Sequence, residues 1–224
     1  MEFNGLLLID KPTGPSSYDV IRQLKRNLFK TKVKIGHAGT LDPLAEGLLI
    51  ILIGRATKKF DEIQKLPKEY LATIKFGRRT DTFDRSGKIT WRYNREFSID
   101  PIKLKKLIKK LNNKIINQTP PAFSALKVNG VRAYKLARSG QLVKIKARKA
   151  SIYEAEIVKI GRKSAKIRFL VSSGTYIRSL ADDIGKKLGY GGHLWSLKRT
   201  KIGSFYISDA KIPSRASLND IIPT

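Results

Sequence analysis

The chain has 224 residues, with 46 Lys and Arg against 18 Asp and Glu, a formal charge of +28 and a pI near 10.4. That length holds one large domain or two small ones, and that charge draws polyanions, phosphate backbones above all. With no cysteine and only His37 and His193, disulfides, thiolate metal sites and a zinc-dependent base deaminase are excluded. The longest apolar run, residues 48 to 53, is far too short to span a bilayer. Residues 6 to 9 are too short for the apolar core of a secretory signal, so the expected location is cytoplasmic.

In chain order, residues 5 to 9 read as a strand and a helix starts at Ser17, where apolar residues fall at helical spacing to Phe29. The apolar run Leu48 to Ile53 fits a buried strand, followed by a short helix over residues 56 to 64. Residues 70 to 76 and 88 to 93 read as strands, and a helix with one apolar face covers residues 101 to 111. Its lysines fall mostly on the other face, as a solvated helix surface requires. Asn129-Gly130 signals a hairpin turn, and residues 133 to 138 a short helix. Residues 151 to 160 and 164 to 172 alternate like an antiparallel pair turning at Gly161-Arg162. A helix over 178 to 188 ends at Gly189, and a last short strand covers residues 203 to 207. Strands in runs, without regular βαβ alternation, predict an α+β fold on a mixed, mainly antiparallel sheet with flanking helices. No linker, repeat or low-complexity tract divides the chain, so one domain over 1 to 224 is expected.

Residues 36 to 47, Gly-His-Ala-Gly-Thr-Leu-Asp-Pro-Leu-Ala-Glu-Gly, carry the chemistry. Three glycines admit backbone conformations closed to other residues, and Pro43 pushes Asp42 away from helical geometry. A tight loop therefore presents one carboxylate, with His37 and Thr40 nearby. Taken alone, the loop reads first as a structural turn whose Asp makes a side-chain turn bond.

The loop resembles the catalytic motif of the TruB family of tRNA pseudouridine-55 synthases, and the resemblance continues in order along the chain. Residues 11 to 17 (KPTGPSS), 68 to 70 (KEY) with 80 to 84 (TDTFD), 120 to 134 (PPAFSALKVNGVRAY), 173 to 180 (SGTYIRSL) and 193 to 200 (HLWSLKRT) resemble the family's further motifs. Ala38 stands where the family usually has Thr, and Val171 where Cys is common. The resemblance implies a pseudouridine-synthase-like catalytic domain with the active cleft across the sheet. It also implies an RNA-gripping insertion at about residues 120 to 150, and a tRNA T stem-loop as partner with its target base flipped out. Family members usually carry a C-terminal PUA domain, and only about 18 residues follow Tyr206, so a short form without it is expected.

Isomerising uridine to pseudouridine breaks the ribose–nitrogen bond and rejoins the base through carbon. Nothing enters, leaves or changes oxidation state, so no cofactor and no metal are expected. A carboxylate can serve as nucleophile, and the resemblance puts Asp42 in that role. It implies that Tyr70 stacks on the base and relays a proton, and that Arg178 pairs with Asp42 and orients it. Ile177 and Leu197 match apolar pocket positions that keep water from the detached base, and Asp84 is expected to orient Arg178. His37 is expected to hold the splayed RNA loop rather than to transfer protons. Lys11, Lys127, Arg132, Lys144, Lys146 and Arg148 are the expected RNA contacts. A monomer needing no protein partner is expected. Two other readings remain open: a guide-RNA-dependent dyskerin-type synthase, which shares these motifs, and a non-catalytic basic RNA-binding protein such as a ribosome-associated factor.

Overall fold

A computed structural model describes residues 3 to 128, 130 to 141 and 143 to 224. The chain gathers into two compact units, Met1–Leu71 with Leu197–Thr224, and Ala72–Ser196. The chain passes between them inside two of its strands.

The first unit opens with β1 (Gly5–Lys11), α1 (Ser17–Leu28), β2 (Ile35–Ala38) and β3 (Ala45–Ile53). A 3-10 turn at Gly54–Lys59, α2 (Phe60–Lys65) and the start of β4 (Lys68–Phe76) follow. β3 is the hub. β1 pairs antiparallel along it from Gly5↔Ile53 to Lys11↔Gly47. β2 pairs antiparallel with it from Ile35↔Ile53 to Ala38↔Ile50. This centrality explains its unbroken apolar sequence. Leu48, Ile50 and Leu52 pack with Leu6, Leu8 and Ile63 on one face. Leu49, Ile51 and Ile53 pack with Leu7, Ile9 and the α1 residues Val20, Ile21 and Leu24 on the other. Each such buried side chain contributes about 1.5–3 kcal/mol of apolar burial. α1 starts at a capping box in which Ser16 and Asp19 satisfy each other's backbone N–H groups.

The second unit contains the rest of β4, β5 (Arg78–Thr80), β6 (Ile89–Arg92), α3 (Pro101–Lys109) and β7 (Lys114–Gln118). It continues with β8 (Lys127–Val128), β9 (Val131–Arg132), α4 (Ala133–Arg138), β10 (Arg148–Ile160), β11 (Ser164–Val171), α5 (Ile177–Lys187) and the first part of β12 (Gly192–Ile202). Its strands run in the order β4-β11-β10-β7. β10 pairs antiparallel with both neighbours, and the Gly161 turn closes with Gly161 N donating to Ser164 O at 2.8 Å. Back in the first unit, the end of β12 runs parallel to β3, Leu197↔Ala45 to Arg199↔Gly47, and pairs antiparallel with β13 (Phe205–Tyr206). The sheet is therefore mixed and mainly antiparallel with flanking helices, the α+β class expected.

Four strands escape the sequence reading. β2 has a glycine and an alanine in four residues and no strand pattern of its own; its extended form comes from pairing with β3. β12 carries Lys198, Arg199 and Lys201, which mask an inward alternation. β5 and β7 are short and polar. The helix expected over 56 to 64 is half 3-10, and the last strand shrinks to two residues before a second 3-10 turn. The hairpin expected at Asn129-Gly130 appears as β8 pairing with β9, while Asn129 itself lies outside the described residues.

Candidate active site

Asp42 sits on the loop joining β2 to β3, half-buried, and its neighbours are anchored to the start of α1 and to the segment just before it. The Ser17 hydroxyl, itself buried, accepts from Leu41 N at 2.9 Å and donates to Leu41 O at 3.1 Å. Gly14 N donates to Pro43 O at 2.8 Å, and Ala45 N to Asp42 O at 3.0 Å. The backbone on either side of the carboxylate is thus held by the 11–17 motif, so the side chain is presented without much freedom to lose on binding. Gly39 adopts φ +88, and a Cβ there would lie 3.4 Å from the Arg199 guanidinium. That guanidinium is wholly buried and donates to Gly39 O at 2.9 Å and Leu48 O at 2.7 Å, tying the two ends of the loop to β12.

Among the described residues of this unit, Lys11, Lys68 and Arg199 are buried cations. Besides Arg199, the Lys11 ammonium donates to Pro12 O at 2.8 Å and Pro15 O at 2.9 Å. The Lys68 ammonium donates to Leu66 O at 2.6 Å and to Gln64 O, the carbonyls that close α2. Lys11 is therefore no surface contact for RNA. Its fully buried ammonium is bonded to the carbonyls of the turn before α1 instead, which corrects the expectation above. Burial pulls its pKa down to about 8, with the Asp42 carboxylate opposing and Arg199 adding to the fall. Burial, then Arg199, likewise pulls Lys68 to about 8. Between pH 8 and 10 the unfolded chain keeps protons on both lysines that the folded chain has released. Stability should therefore rise with pH across that window. Thermal melts of the wild type and of Lys68→Met check this: the rise should flatten in the variant, and a wild-type melting temperature that falls throughout contradicts it.

The same unit holds His37, Tyr70 and Leu197. His37 lies on β2 opposite Ile51, half-buried, and its Nδ1 has no hydrogen-bond partner among the described residues. Burial and then Arg199 lower its pKa, so the ring is neutral near pH 7, a form suited to stacking or a single hydrogen bond rather than to ion pairing. Tyr70 is nearly buried on β4, on the same strand face as Lys68 and Ala72. Leu197 is buried on β12 in register with Ala45, three residues beyond Asp42.

The second unit gathers Ile177, Arg178 and Asp84. α5 is fixed at its start by Gln118, whose side chain accepts from Tyr176 N at 2.7 Å and donates to Tyr176 O at 3.0 Å. Its other end packs backbone to backbone, since a Cβ on Gly185 would meet Gly192 N at 2.1 Å. Ile177 is buried at the first helical position. Arg178, also buried, donates to Thr82 O at 3.1 Å and Phe123 O at 2.9 Å, with Nε 3.7 Å from the Asp84 carboxylate. Asp84 accepts in turn from Thr82 Oγ1 at 2.7 Å and Ser86 N at 2.9 Å.

Of the expected RNA contacts in this unit, Lys127, Arg132, Lys144 and Lys146 are exposed. Lys127 pairs across the β8–β9 hairpin with Arg132, whose guanidinium also donates to Ala125 O at 2.5 Å. Arg148 is half-buried, donates to Gly174 O at 2.5 Å and covers the Tyr176 ring at 4.9 Å, so it is occupied in holding the entry to α5. Among the described residues no group of three or more His, Cys, Asp or Glu could hold a metal ion, and no helix is long and apolar enough to cross a membrane.

Sequence reasoning missed Ser17, Lys68 and Arg199 as parts of the site. The available signal was period-2 alternation. Lys68 shares an inward strand face with Tyr70, Ala72, Ile74 and Phe76, and Arg199 shares one with Leu197. A cation at an inward position must find partners inside the protein.

Two family models cover nearly the whole chain. "TruB family pseudouridylate synthase (N terminal domain)" matches residues 26–177 and "tRNA pseudouridylate synthase B C-terminal domain" residues 178–222. The tRNA pseudouridine synthase B of Aquifex aeolicus is 46% identical over 209 residues, 92% of this chain and 71% of that protein. The protein of the same name from Francisella tularensis subsp. tularensis is 45% identical over 210 residues, 94% of this chain and 68% of its own length. Among solved structures, a chain of a Cbf5-Nop10-Gar1 complex superposes with TM-score 0.70 at 29% identity, covering 94% of this chain. A chain of an H/ACA RNP bound to a substrate RNA containing 2'-deoxyuridine superposes with TM-score 0.67 at 26% identity, covering 96%. This chain spans about half of each, 52% and 51%.

Proposed function

The chain belongs to the TruB family of pseudouridylate synthases, and we propose that it isomerises the T-loop uridine at position 55 of tRNA to pseudouridine, on a base flipped out of the folded loop. The reaction exchanges a bond from ribose carbon 1′ to base N1 for one to base C5, while the proton on C5 passes to solvent and N1 takes one up. Asp42 is the nucleophile. The observation that carries the proposal is its presentation: one carboxylate on a short loop, anchored on both sides by Ser17 and Gly14 and backed by buried Arg199 and Lys11. A positive surround of this kind favours an anion that must reach a crowded carbon, and it needs no reorganisation when charge develops. Tyr70 stacks on the uracil and moves the proton, and Arg178 orients Asp42. Ile177 and Leu197 keep water from the detached base, Asp84 steadies Arg178, and His37 props the opened loop.

Tritium placed at C5 of uridine in an unmodified tRNA transcript reports the reaction directly, since that hydrogen is displaced when the new bond forms. Incubation with this chain alone should release about one equivalent of tritium per transcript. Likeness to the H/ACA structures makes guide-RNA dependence the second reading, and release only after a guide and accessory proteins are added would favour it. Binding without release in either case would leave a basic RNA-binding protein.

Phosphate contacts by Lys127, Lys144 and Lys146 should make log affinity fall linearly with log salt, by roughly 0.7 to 0.9 per neutralised phosphate. Reversing all three charges should flatten that slope while leaving single-turnover chemistry at saturating RNA unchanged. Arg148 is kept out of this set because its loss would disturb α5. An unchanged slope would put the RNA elsewhere on the surface.

A further inference from the structure

α1 carries an aromatic ring that the core does not use. Its apolar side packs into the first unit through Val20, Ile21 and Leu24. Tyr18, in its first turn, is 63% exposed, more than any other Phe, Tyr or Trp among the described residues. That turn is rigid: Ser16 and Asp19 cap it reciprocally. The hydroxyl of Ser17, the residue before Tyr18, also holds Leu41 N and O, next to Asp42. Only the Ser17 side chain and the adjoining backbone separate the two positions, so the Tyr18 and Asp42 Cα atoms lie within about 12 Å of each other. Tyr18, Arg22, Lys25 and Arg26 are all exposed, and their spacing puts them within about 100° of helix surface. The Arg22 guanidinium lies over the Tyr18 ring, 5.8 Å from its centroid. The helix carries these three cations and one acid, Asp19, which Arg22 and Ser16 already engage.

We infer that Tyr18 is a stacking platform for an unpaired base of the RNA substrate beside the target nucleotide, with Lys25 and Arg26 meeting the phosphates next to that base. The inference rests on the reading of the chain as a tRNA-modifying enzyme. Taking one base out of a folded loop uncovers the faces of its neighbours, and a splayed loop base regains contact on an aromatic side chain. A tyrosine on a rigid turn offers that contact with only two side-chain torsions to order. Arg22 over the ring adds a cation to the same stack. Charge favours RNA over an apolar partner, because the ring stands in a stripe of cations rather than among other exposed apolar side chains. Position ties the contact to the reaction. The nucleophile's loop and the ring share one anchor, Ser17, so RNA that delivers its base to Asp42 has a neighbouring nucleotide within reach of Tyr18.

The test measures affinity for unmodified tRNA transcript across a salt series. Tyr18→Phe keeps the ring and should bind within about twofold of wild type. Tyr18→Leu keeps apolar bulk but has no ring face, and should bind at least about fivefold more weakly, the low end of what one base stacked on an aromatic side chain contributes. Its salt slope should match the wild type, because stacking releases no counterions. Lys25→Gln with Arg26→Gln should instead flatten the slope by roughly one to two. Tyr206→Leu, at a tyrosine 48% exposed on β13, is the control and should bind within about twofold. Tyr18→Leu within twofold of wild type, Tyr18→Phe as weak as Tyr18→Leu, or an equal loss in Tyr206→Leu overturns the inference. Tyr18 lies outside the core, so these variants should fold, and the Phe–Leu comparison separates stacking from any loss of helix stability. Failure of the wild type to form pseudouridine would defeat the functional reading, while the binding comparison would still decide whether Tyr18 stacks on RNA.

Discussion

Asp42→Asn should abolish pseudouridine formation while leaving tRNA binding within a few-fold of wild type. The amide keeps the size of the carboxylate and most of its hydrogen bonding, and the loop is held by Ser17, Gly14 and Arg199 through backbone atoms of its neighbours. The fold and the RNA surface should therefore survive, and only the proposed nucleophile is lost. A drop in single-turnover rate of at least about a thousandfold is expected, roughly 4 kcal/mol of barrier. Turnover near the wild-type rate, once deamidation back to Asp has been excluded by mass spectrometry, would remove Asp42 from the mechanism.

The next largest effect is expected at Arg178. Its guanidinium bonds two carbonyls on separate segments, Thr82 O and Phe123 O, and faces the Asp84 carboxylate, all in a buried setting. An ammonium cannot reproduce that planar spread of donors. Arg178→Lys should lower the rate at least about a hundredfold, roughly 2.7 kcal/mol. Arg178→Ala, which strands the buried Asp84, should also cost about 3–5 kcal/mol of stability. Tyr70→Phe offers the contrast. It keeps the ring and its packing, so stability should change little, while the loss of the hydroxyl should remove most of the turnover. Near wild-type rates in both Arg178→Lys and Tyr70→Phe would leave Asp42 with other helpers.

Much of this arrangement was legible in the residues. The β3 run reads as buried because it is apolar on both faces, and the structure buries both faces. α1, β10, β11 and α5 carry clean periodicities, and the Asp42 loop is marked by its glycines and Pro43. Illegible elements owe their form to partners distant in sequence. β2 is extended because β3 is beside it, and β12 hides its inward positions behind three basic residues. The site follows the same division. Asp42, Tyr70 and Arg178 stand out through motif resemblance. The buried roles of Lys11, Lys68 and Arg199 do not, because composition assigns a lysine or arginine to the surface. Only the alternation of burial along β4 and β12 reveals that Lys68 and Arg199 point inward.

The most direct measurement is a nucleotide-resolution map of pseudouridine in an unmodified tRNA transcript after incubation with the purified chain and no added cofactor, guide or protein. The expected result is a single new pseudouridine at position 55 in the T loop, formed to near completion by the wild type and absent with Asp42→Asn. No pseudouridine at any position, or pseudouridine formed equally by the two proteins, would contradict it.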